Sequence, residues 1–453
     1  MKFRKQSSRS RQRRNSPSIS TIKYSSPEVI KRQRFKKQRL RGRQPQGHQD
    51  QASPSAAAAT ASKHASSARR RPRKPSIKSI PSKEARDLWA NMADETLRIA
   101  LGDGKYVEER YNLPATSSPN DGSDRQTFPQ SSLVSDASGT TYSVKRIEHD
   151  IFLPINLSRQ STEFYPHNCD SLSTWAVGKP RTLPVGQTTT IDFQKCSTLT
   201  AARRLSQLSE DKSKVGVLSF ASPKRPCGNF LHGSSEQEET MARYTSLVAN
   251  LTSSAAQNFY KEHRKFSRED GCGLHDHSLV HSPGVVVFRS DSDDEDAFLR
   301  AVASSPPIGG SFIPPYQIDV VSAVPVNAAA IRAKSLTTLA EKPISEEDIR
   351  SHMKERMARI LRLFEEKGNK NIVLGAFGCS SSENKVDVVA GVWAELLVCG
   401  DTEGEDGTSH PARFKDVFSN IVFAIPGRMY PTFKEAFELR LFEAQLIESF
   451  SAL

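Results

Sequence analysis

The sequence predicts an α/β fold with a mostly parallel sheet that helices cover on both faces. From about residue 186 onward, short apolar runs alternate with helical patterns. Nearly continuous apolar strands separated by helices are typical of parallel sheets buried on both faces. Ligands of such folds bind beyond the carboxyl ends of the strands. The residues that follow each strand are therefore the candidates for function.

Each predicted element rests on its own pattern. Five apolar runs predict strands: 215–221, 284–289, 318–324, 371–377 and 420–425. Helical periodicity predicts five helices: Leu199 to Leu208, Glu236 to Leu251, Glu346 to Lys367, Val386 to Leu397 and Thr432 to Ser449. The third helix carries one apolar stripe, formed by Met353, Met357, Ile360, Leu361 and Phe364. Such a stripe indicates core packing rather than a cofactor contact.

Before this core, the sequence predicts one further helix and a long loop. The helix begins near Lys83, and its apolar residues fall near one face: Leu88, Met92, Leu97 and Leu101. Gly102 and Gly104 end the pattern. Residues 114–185 are rich in Ser, Thr, Asn and Pro and are predicted to be loop-like. The chain thus divides into a tail (1–82), a helical segment with a long loop (83–185) and an α/β core (186–449).

The charge of the chain is unevenly distributed. The whole sequence has a formal charge of +13, but residues 1–80 hold 23 Lys and Arg against two acidic residues. Residues 81–453 hold 41 basic and 49 acidic residues, a net charge of −8. The basic excess therefore belongs to the tail, and the α/β core is mildly acidic.

The tail has the composition of a disordered segment, because it is rich in Ser, Arg, Lys, Gln and Pro and poor in large apolar residues. Three basic clusters, at 9–14, 31–43 and 69–74, favour nuclear import or non-specific contact with nucleic-acid phosphates. The alternative is a solvated tail without a specific partner. We expect a nuclear or nucleocytoplasmic protein.

Cysteine usage and hydropathy give a consistent expectation. The six cysteines form no CxxC pair, which favours reduced thiols over a disulfide framework: Cys169, Cys196, Cys227, Cys272, Cys379 and Cys399. No apolar run of about 18 residues predicts a membrane span, and the N-terminus lacks the apolar core of a secretory signal. We therefore expect no contact with a membrane.

The segment after the first core strand concentrates the candidate chemistry. A loop with several Pro and Gly residues leads into a helix that opens with Glu236, Gln237, Glu238 and Glu239. Carboxylates in a first turn suit the positive end of the helix dipole, which is a purely structural explanation. Alternatively, one glutamate faces a cleft and acts on a sugar, as ligand or as proton donor. The residue types alone do not separate these interpretations.

This segment resembles the signature of the microbial-type poly(ADP-ribose) glycohydrolases, a macrodomain family. Cys227-Gly228-Asn229 occupies the place of the family's Gly-Gly-Gly, seven residues follow, and Gln237-Glu238-Glu239 matches its Gln-Glu-Glu. Further blocks, including "HSPGVVVFR", "DVVSAVPVNA" and "VLGAFGCSSSENKVDVVAGVWAELL", correspond in order to family segments over about residues 84–426.

The resemblance implies a macrodomain-like α/β/α sandwich, preceded by an N-terminal helical extension, that binds ADP-ribose or its polymer. Glu239 falls on the catalytic acid/base and Glu238 on the residue that contacts the terminal ribose. It also implies a set of further ligand-binding residues: Gln237, Cys227, Gly228, Asn229, Gly375, Gly378, Cys379, Ser380, Asn384 and Asn327. The implied reaction is hydrolysis of the ribose–ribose O-glycosidic bond, with no cofactor.

The 375–384 segment also has a physical argument of its own. Gly375 and Gly378 lie between a predicted strand and a predicted helix, where backbone N–H groups are able to cradle a diphosphate. A Gly-x-x-Gly turn is weak evidence alone, since turn geometry also calls for glycine.

The chain departs from the family pattern at several places around the ligand. Cys227 and Asn229 replace glycines, Ser219 stands at a usual asparagine, and 380–382 are serines in place of glycine and aromatic residues. Side chains at such positions take up space next to a ligand. The sequence therefore leaves three alternatives open: an ADP-ribosyl glycohydrolase, a catalytically weak reader of ADP-ribose or its polymer, and a chromatin-associated scaffold that acts through its tail.

Two other clusters were weighed as sites. "CGLHDHSLVH" at 272–281 does not have the spacing of a standard zinc module, and we expect no metal there. Cys379 near a helix N-terminus is a poor candidate for a catalytic thiol, because no partner histidine is evident.

Overall fold

The protein is described from a computed structural model. Its described residues are 82–112, 132–135, 141–208, 214–269, 273–293, 309–337, 343–401 and 411–451. All of them lie in one unit, Pro75–Leu453. The predictions for residues 1–81 and for Cys272 fall outside these ranges.

A seven-stranded mixed sheet organises the described residues, in the order β4-β7-β8-β6-β9-β10-β5. Its strands are β4 (Glu163–Tyr165), β5 (Thr190–Gln194), β6 (Val215–Phe220), β7 (Leu279–Arg289), β8 (Phe312–Ala323), β9 (Asn371–Leu374) and β10 (Asn420–Ala424). The five strands from β8 to β5 run parallel, whereas β7 and β4 are antiparallel to their neighbours. The predicted α/β class is confirmed.

The α-helices alternate with these strands and cover the sheet. They are α1 (Lys83–Arg98), α2 (Phe152–Gln160), α3 (Asp170–Ser173), α4 (Thr198–Leu208), α5 (Gln237–Tyr244), α6 (Leu247–Leu251), α7 (Ser254–Glu269), α8 (Ala328–Thr337), α9 (Glu346–Lys367), α10 (Val386–Ala394) and α11 (Met429–Ser451). Every residue of β9 is buried, as expected for a strand covered on both faces. The predicted stripe of α9 is also buried in the main core. No helix among the described residues is long and apolar enough to cross a membrane.

Two predicted helices are interrupted in the structure. The segment predicted from Glu236 to Leu251 is two helices, because Thr245 takes an extended conformation and pairs with Val287 of β7. The segment predicted from Val386 to Leu397 leaves α-helical geometry after Ala394 and continues as a π-helical turn, Glu395–Cys399.

The prediction of a loop over 114–185 is wrong for part of that segment. β2 (Ser132–Ser135) and β3 (Thr141–Asp150) form a second sheet with β1 (Lys105–Asn112), in the order β1-β3-β2. Helix α2 follows directly. These elements were not predicted because their sequences contain many polar residues. Strand β3 alternates residue types on an antiparallel sheet with an exposed face.

Helix α1 packs beside the loop that precedes α5. The predicted apolar face was partly wrong, since Leu88 is 48% exposed and the small residues Ala90 and Ala93 are buried instead. Small residues allow a close approach. A Cβ on Gly233, whose φ is +66°, would lie 2.7 Å from the carbonyl carbon of Arg86. The fold therefore requires glycine at this contact.

We predict that Gly233→Ala destabilises the protein more than Gly427→Ala. Both glycines have positive φ, but nothing lies within 4 Å of a Cβ on Gly427. Each substitution loses about 1–2 kcal/mol through the left-handed backbone. Overpacking against Arg86 adds about 1–3 kcal/mol at position 233 only. Urea unfolding measures the difference in free energy of unfolding between the two variants. Equal losses of stability would show that helix α1 moves away from the added methyl group without cost.

Candidate active site

The candidate site lies where two neighbouring parallel strands end. β6 and β9 are paired, and each is followed by a loop that carries predicted ligand-binding residues. The rings of Phe220 and Phe377, at the starts of these loops, meet edge to face with centroids 5.4 Å apart. A Cβ on Gly375 would lie 3.2 Å from the Phe220 ring and 3.0 Å from the Ala424 carbonyl oxygen. Close packing thus brings the two loops together at the carboxyl edge of the sheet.

Gln237 fixes the start of α5 to the end of β6. Its side-chain oxygen accepts a hydrogen bond from the Phe220 N–H at 2.9 Å, and its amide nitrogen donates to the Leu218 carbonyl at 2.8 Å. The same nitrogen donates to the Thr198 hydroxyl at 3.2 Å. Backbone and hydroxyl groups therefore already engage both ends of the Gln237 amide. The predicted contact between Gln237 and a ligand stays a prediction.

Glu238 is a deeply buried carboxylate, with 1% of its surface exposed. One oxygen accepts a hydrogen bond from the Ser222 N–H at 2.8 Å, whereas Oε1 has no hydrogen-bond partner among the described residues. Burial raises the pKa of Glu238 well above its ordinary value, and the charge of Glu239 adds to the shift. The backbone N–H groups of Ser222 and Cys227 oppose it.

Glu239 lies beside the glycine of the loop. Its Oε1 accepts a hydrogen bond from the Asn229 N–H at 3.0 Å, and it is 7% exposed. Burial raises the pKa of Glu239, the Asn229 N–H and the Arg243 guanidinium lower it, and Glu236 raises it further. A buried carboxyl with a raised pKa retains a proton at higher pH, as a general acid requires.

The 227–229 turn keeps a glycine-like path. Cys227 and Gly228 have φ of +55° and +50°, so two consecutive residues are left-handed. A Cβ on Gly228 would overlap the Glu239 carboxylate and approach its Cδ to 2.8 Å. Only glycine fits at position 228. The Cys227 thiol is fully buried, and burial and both carboxylates raise its pKa well above the ordinary value.

The loop after β9 is held by its own backbone. Gly378 has a φ of +72°, and a Cβ there would lie 2.6 Å from the Pro325 Cβ. The Asn384 amide nitrogen donates to the Val326 and Gly378 carbonyls at 2.7 and 3.1 Å. The predicted residues Gly375, Gly378 and Asn384 therefore shape this loop, whether or not they also contact a ligand.

The other predicted residues of this region lie near the same edge. Asn327 begins α8, because its side-chain oxygen accepts from the Ala330 N–H at 3.0 Å. The Ser380 hydroxyl donates to Glu236 at 3.1 Å. The pKa of the Cys379 thiol is raised by burial to about 12, which disfavours the thiolate. These observations on Asn327, Ser380 and Cys379 do not test whether the three residues bind a ligand.

Sequence analysis missed two buried residues beside the carboxylates. Tyr260 of α7 is fully buried, and the charges of Glu238 and Cys227 add to the burial that raises its pKa. Arg243 lies on α5, donates to the Ser234 carbonyl and stacks over Trp89 at 5.1 Å. Arg243 follows Glu239 by four residues, and this spacing would have predicted that both side chains lie on the same face of the helix. Tyr260 had none, because α7 was not predicted.

The histidine-rich segment before β7 packs against α7 and α9. Within the described ranges, no group of three or more His, Cys, Asp or Glu side chains is arranged to hold a metal ion. His277 stacks on His352, with ring centroids 5.8 Å apart, and burial strongly lowers its pKa. Arg356 holds the segment through the Leu274 and His275 carbonyls.

The described residues form a macrodomain-like α/β domain with two buried carboxylates, Glu238 and Glu239, at the carboxyl edge of its sheet. Residues 132–290 match the family described as microbial-type PARG, catalytic domain. This match agrees with the resemblance predicted from the sequence and supports a glycosyl hydrolase.

Several solved structures are similar to this chain. The chain is similar to poly(ADP-ribose) glycohydrolase from Thermomonospora curvata, at 25% identity with a TM-score of 0.52, over 78% of this chain and 100% of that one. A structure of that enzyme bound to the inhibitor ADP-HPD matches at 24% identity with a TM-score of 0.50, over the same shares. Poly(ADP-ribose) glycohydrolase from Deinococcus radiodurans in complex with ADP-ribose matches at 26% identity with a TM-score of 0.48, over 63% and 96%. No curated protein matches the chain.

The buried Glu238 predicts a pH-dependent stability difference. Because its pKa is raised in the folded state, the favourable contribution of its protonated form is complete below about pH 4.5 and is lost as the pH rises through the raised pKa. Glu238→Gln removes this loss and leaves an acceptor for the Ser222 N–H.

We therefore expect Glu238→Gln to be increasingly more stable than the wild type as the pH rises above about 4.5, by up to about 1.4 kcal/mol per pH unit. Denaturant unfolding between pH 4 and pH 8 measures the trend. Glu347→Gln, on an exposed side chain of α9, is the control. A difference that does not change with pH would contradict the burial of an ionisable Glu238.

Proposed function

We propose that the protein hydrolyses the ribose–ribose O-glycosidic bonds of poly(ADP-ribose) and releases ADP-ribose. The observation that carries the proposal is the pair of buried carboxylates, Glu238 and Glu239, on a helix fixed beside a left-handed glycine turn. The family match and the similarity to the Thermomonospora curvata enzyme support the same substrate class.

In this proposal Glu239 is the general acid and base. It donates a proton to the departing ribose oxygen as the bond to the anomeric carbon breaks, through an oxocarbenium-like transition state. Water then adds to the anomeric carbon and returns a proton to Glu239. The raised pKa of Glu239 suits the first step, and the Asn229 N–H holds the carboxyl in place.

Glu238 and the loop after β9 position the ligand. Glu238 lies deeper than Glu239 and binds the ribose hydroxyls through the oxygen that is not held by Ser222. The loop around Gly378 binds the diphosphate through backbone N–H groups. Positioning of this kind lowers the barrier without chemistry of its own.

We expect Glu239→Gln to lower kcat about 10²- to 10⁴-fold and to leave the affinity for ADP-ribose within a few-fold, because glutamine keeps the acceptor for Asn229 but supplies no proton. Release of ADP-ribose from the polymer measures kcat, and calorimetry measures binding. Glu347→Gln controls for a remote loss of charge.

An unchanged kcat in Glu239→Gln would refute the assigned role. A second candidate function, a reader domain, is favoured by the Cys227 side chain buried in the carboxylate cluster. Binding of ADP-ribose by the wild type without any release from the polymer would establish the reader and exclude the hydrolase.

We also propose that the basic residues of 1–82 direct the protein to the nucleus or hold it on nucleic acid. The proposal rests on 23 Lys and Arg against two acidic residues in 1–80. Deletion of 1–82 is expected to abolish nuclear accumulation of a fluorescent fusion. Replacement of the three basic clusters by Gln in the full chain is the matched control. Unchanged localisation in both variants would refute the proposal.

A further inference from the structure

A hydrogen bond crosses between the two loops of the site. The Ser380 hydroxyl, in the loop after β9, donates to Oε2 of Glu236 at 3.1 Å, although the residues are 144 positions apart. Glu236 is the last residue before α5. Because β6 and β9 are neighbouring parallel strands, this bond spans the carboxyl edge of the sheet between the carboxylate helix and the glycine turn at Gly378.

Glu236 also acts on the catalytic carboxylate. Its negative charge contributes to the raised pKa of Glu239, whereas Arg243 has the opposite effect. The other ionisable groups described beside the carboxylates are Glu238, Cys227 and Tyr260. Glu236 therefore places a carboxylate beside a site that, under the proposed function, receives an anionic ligand.

One hydroxyl has one proton to donate. Ser380 directly follows the Gly378-Cys379 turn, which binds the diphosphate under the proposed function. A phosphate bound there competes with the Glu236 carboxylate for the Ser380 hydroxyl and is repelled by the same carboxylate. Both effects oppose the binding of the anion.

We propose that Glu236 is a specificity-determining residue that competes with the diphosphate of the ligand for Ser380. When ligand binds, the Ser380 hydrogen bond moves from Glu236 to a phosphate oxygen. Affinity for ADP-ribose is then lower than the loop alone would give, which favours the release of product. The inference rests on the proposed function for the identity of the ligand.

Calorimetry with ADP-ribose on the full chain tests the competition. Glu236→Gln keeps an acceptor for Ser380 but removes the charge, and we expect about three- to tenfold tighter binding that diminishes at high salt. Ser380→Ala keeps the charge but removes the donor, and we expect binding weaker than in the wild type. Glu347→Gln should match the wild type. Unchanged or weaker binding by Glu236→Gln would overturn the competition.

The pH profile of hydrolysis separates this role from a structural one. Without the Glu236 charge the pKa of Glu239 falls. In Glu236→Gln, the limb of the pH–rate profile that reports the ionisation of Glu239 therefore shifts to lower pH. In Ser380→Ala, this limb stays in place. A limb that shifts in neither variant, or in both, would overturn the electrostatic role. If the variants bind ADP-ribose in the expected order of affinity but the wild type does not hydrolyse the polymer, only the proposed function is overturned. Absence of ADP-ribose binding by every variant would overturn both.

Discussion

The attachment of Gln237 to the end of β6 is the contact on which the rest of the site depends. One short side chain bonds the Phe220 N–H, the Leu218 carbonyl and the Thr198 hydroxyl, so the first turn of α5 has a fixed position relative to the sheet. The next two residues are the carboxylates, and their direction follows from that anchor. A site on a rigid helix start is held more firmly than one on a free loop.

The burial of these carboxylates is only partly offset by the surrounding loops. Ser222 and Asn229 each supply one N–H, one to Glu238 and one to Glu239. The few backbone N–H groups near these carboxyl groups do not restore the hydration of their ionised forms, so both pKa values remain raised. The structure thus stabilises the protonated forms of both carboxyl groups, because the backbone hydrogen bonds compensate only partly for burial.

The periodicity of apolar residues predicted the strands and helices whose buried face has a regular apolar pattern. Strand β9 and helix α9 are buried elements with clear patterns, and both were predicted; α9 has the predicted bounds. Helix α7 was missed because its sequence is largely polar, and with it the position of Tyr260. The carboxylates were found through resemblance, but their burial and the bond between Glu236 and Ser380 depend on contacts between distant segments, which no local pattern encodes.

The departure at Cys227 changes the side chains of the site but not the path of its backbone. The residue holds a φ of +55°, which costs an L-residue about 1–2 kcal/mol relative to glycine. Strain of this size persists only where neighbouring contacts fix the turn, and Gly228 against Glu239 is such a contact. The buried thiol offsets part of this cost as a small apolar group. The turn therefore still presents the Asn229 N–H to Glu239 with a cysteine in place of the first glycine.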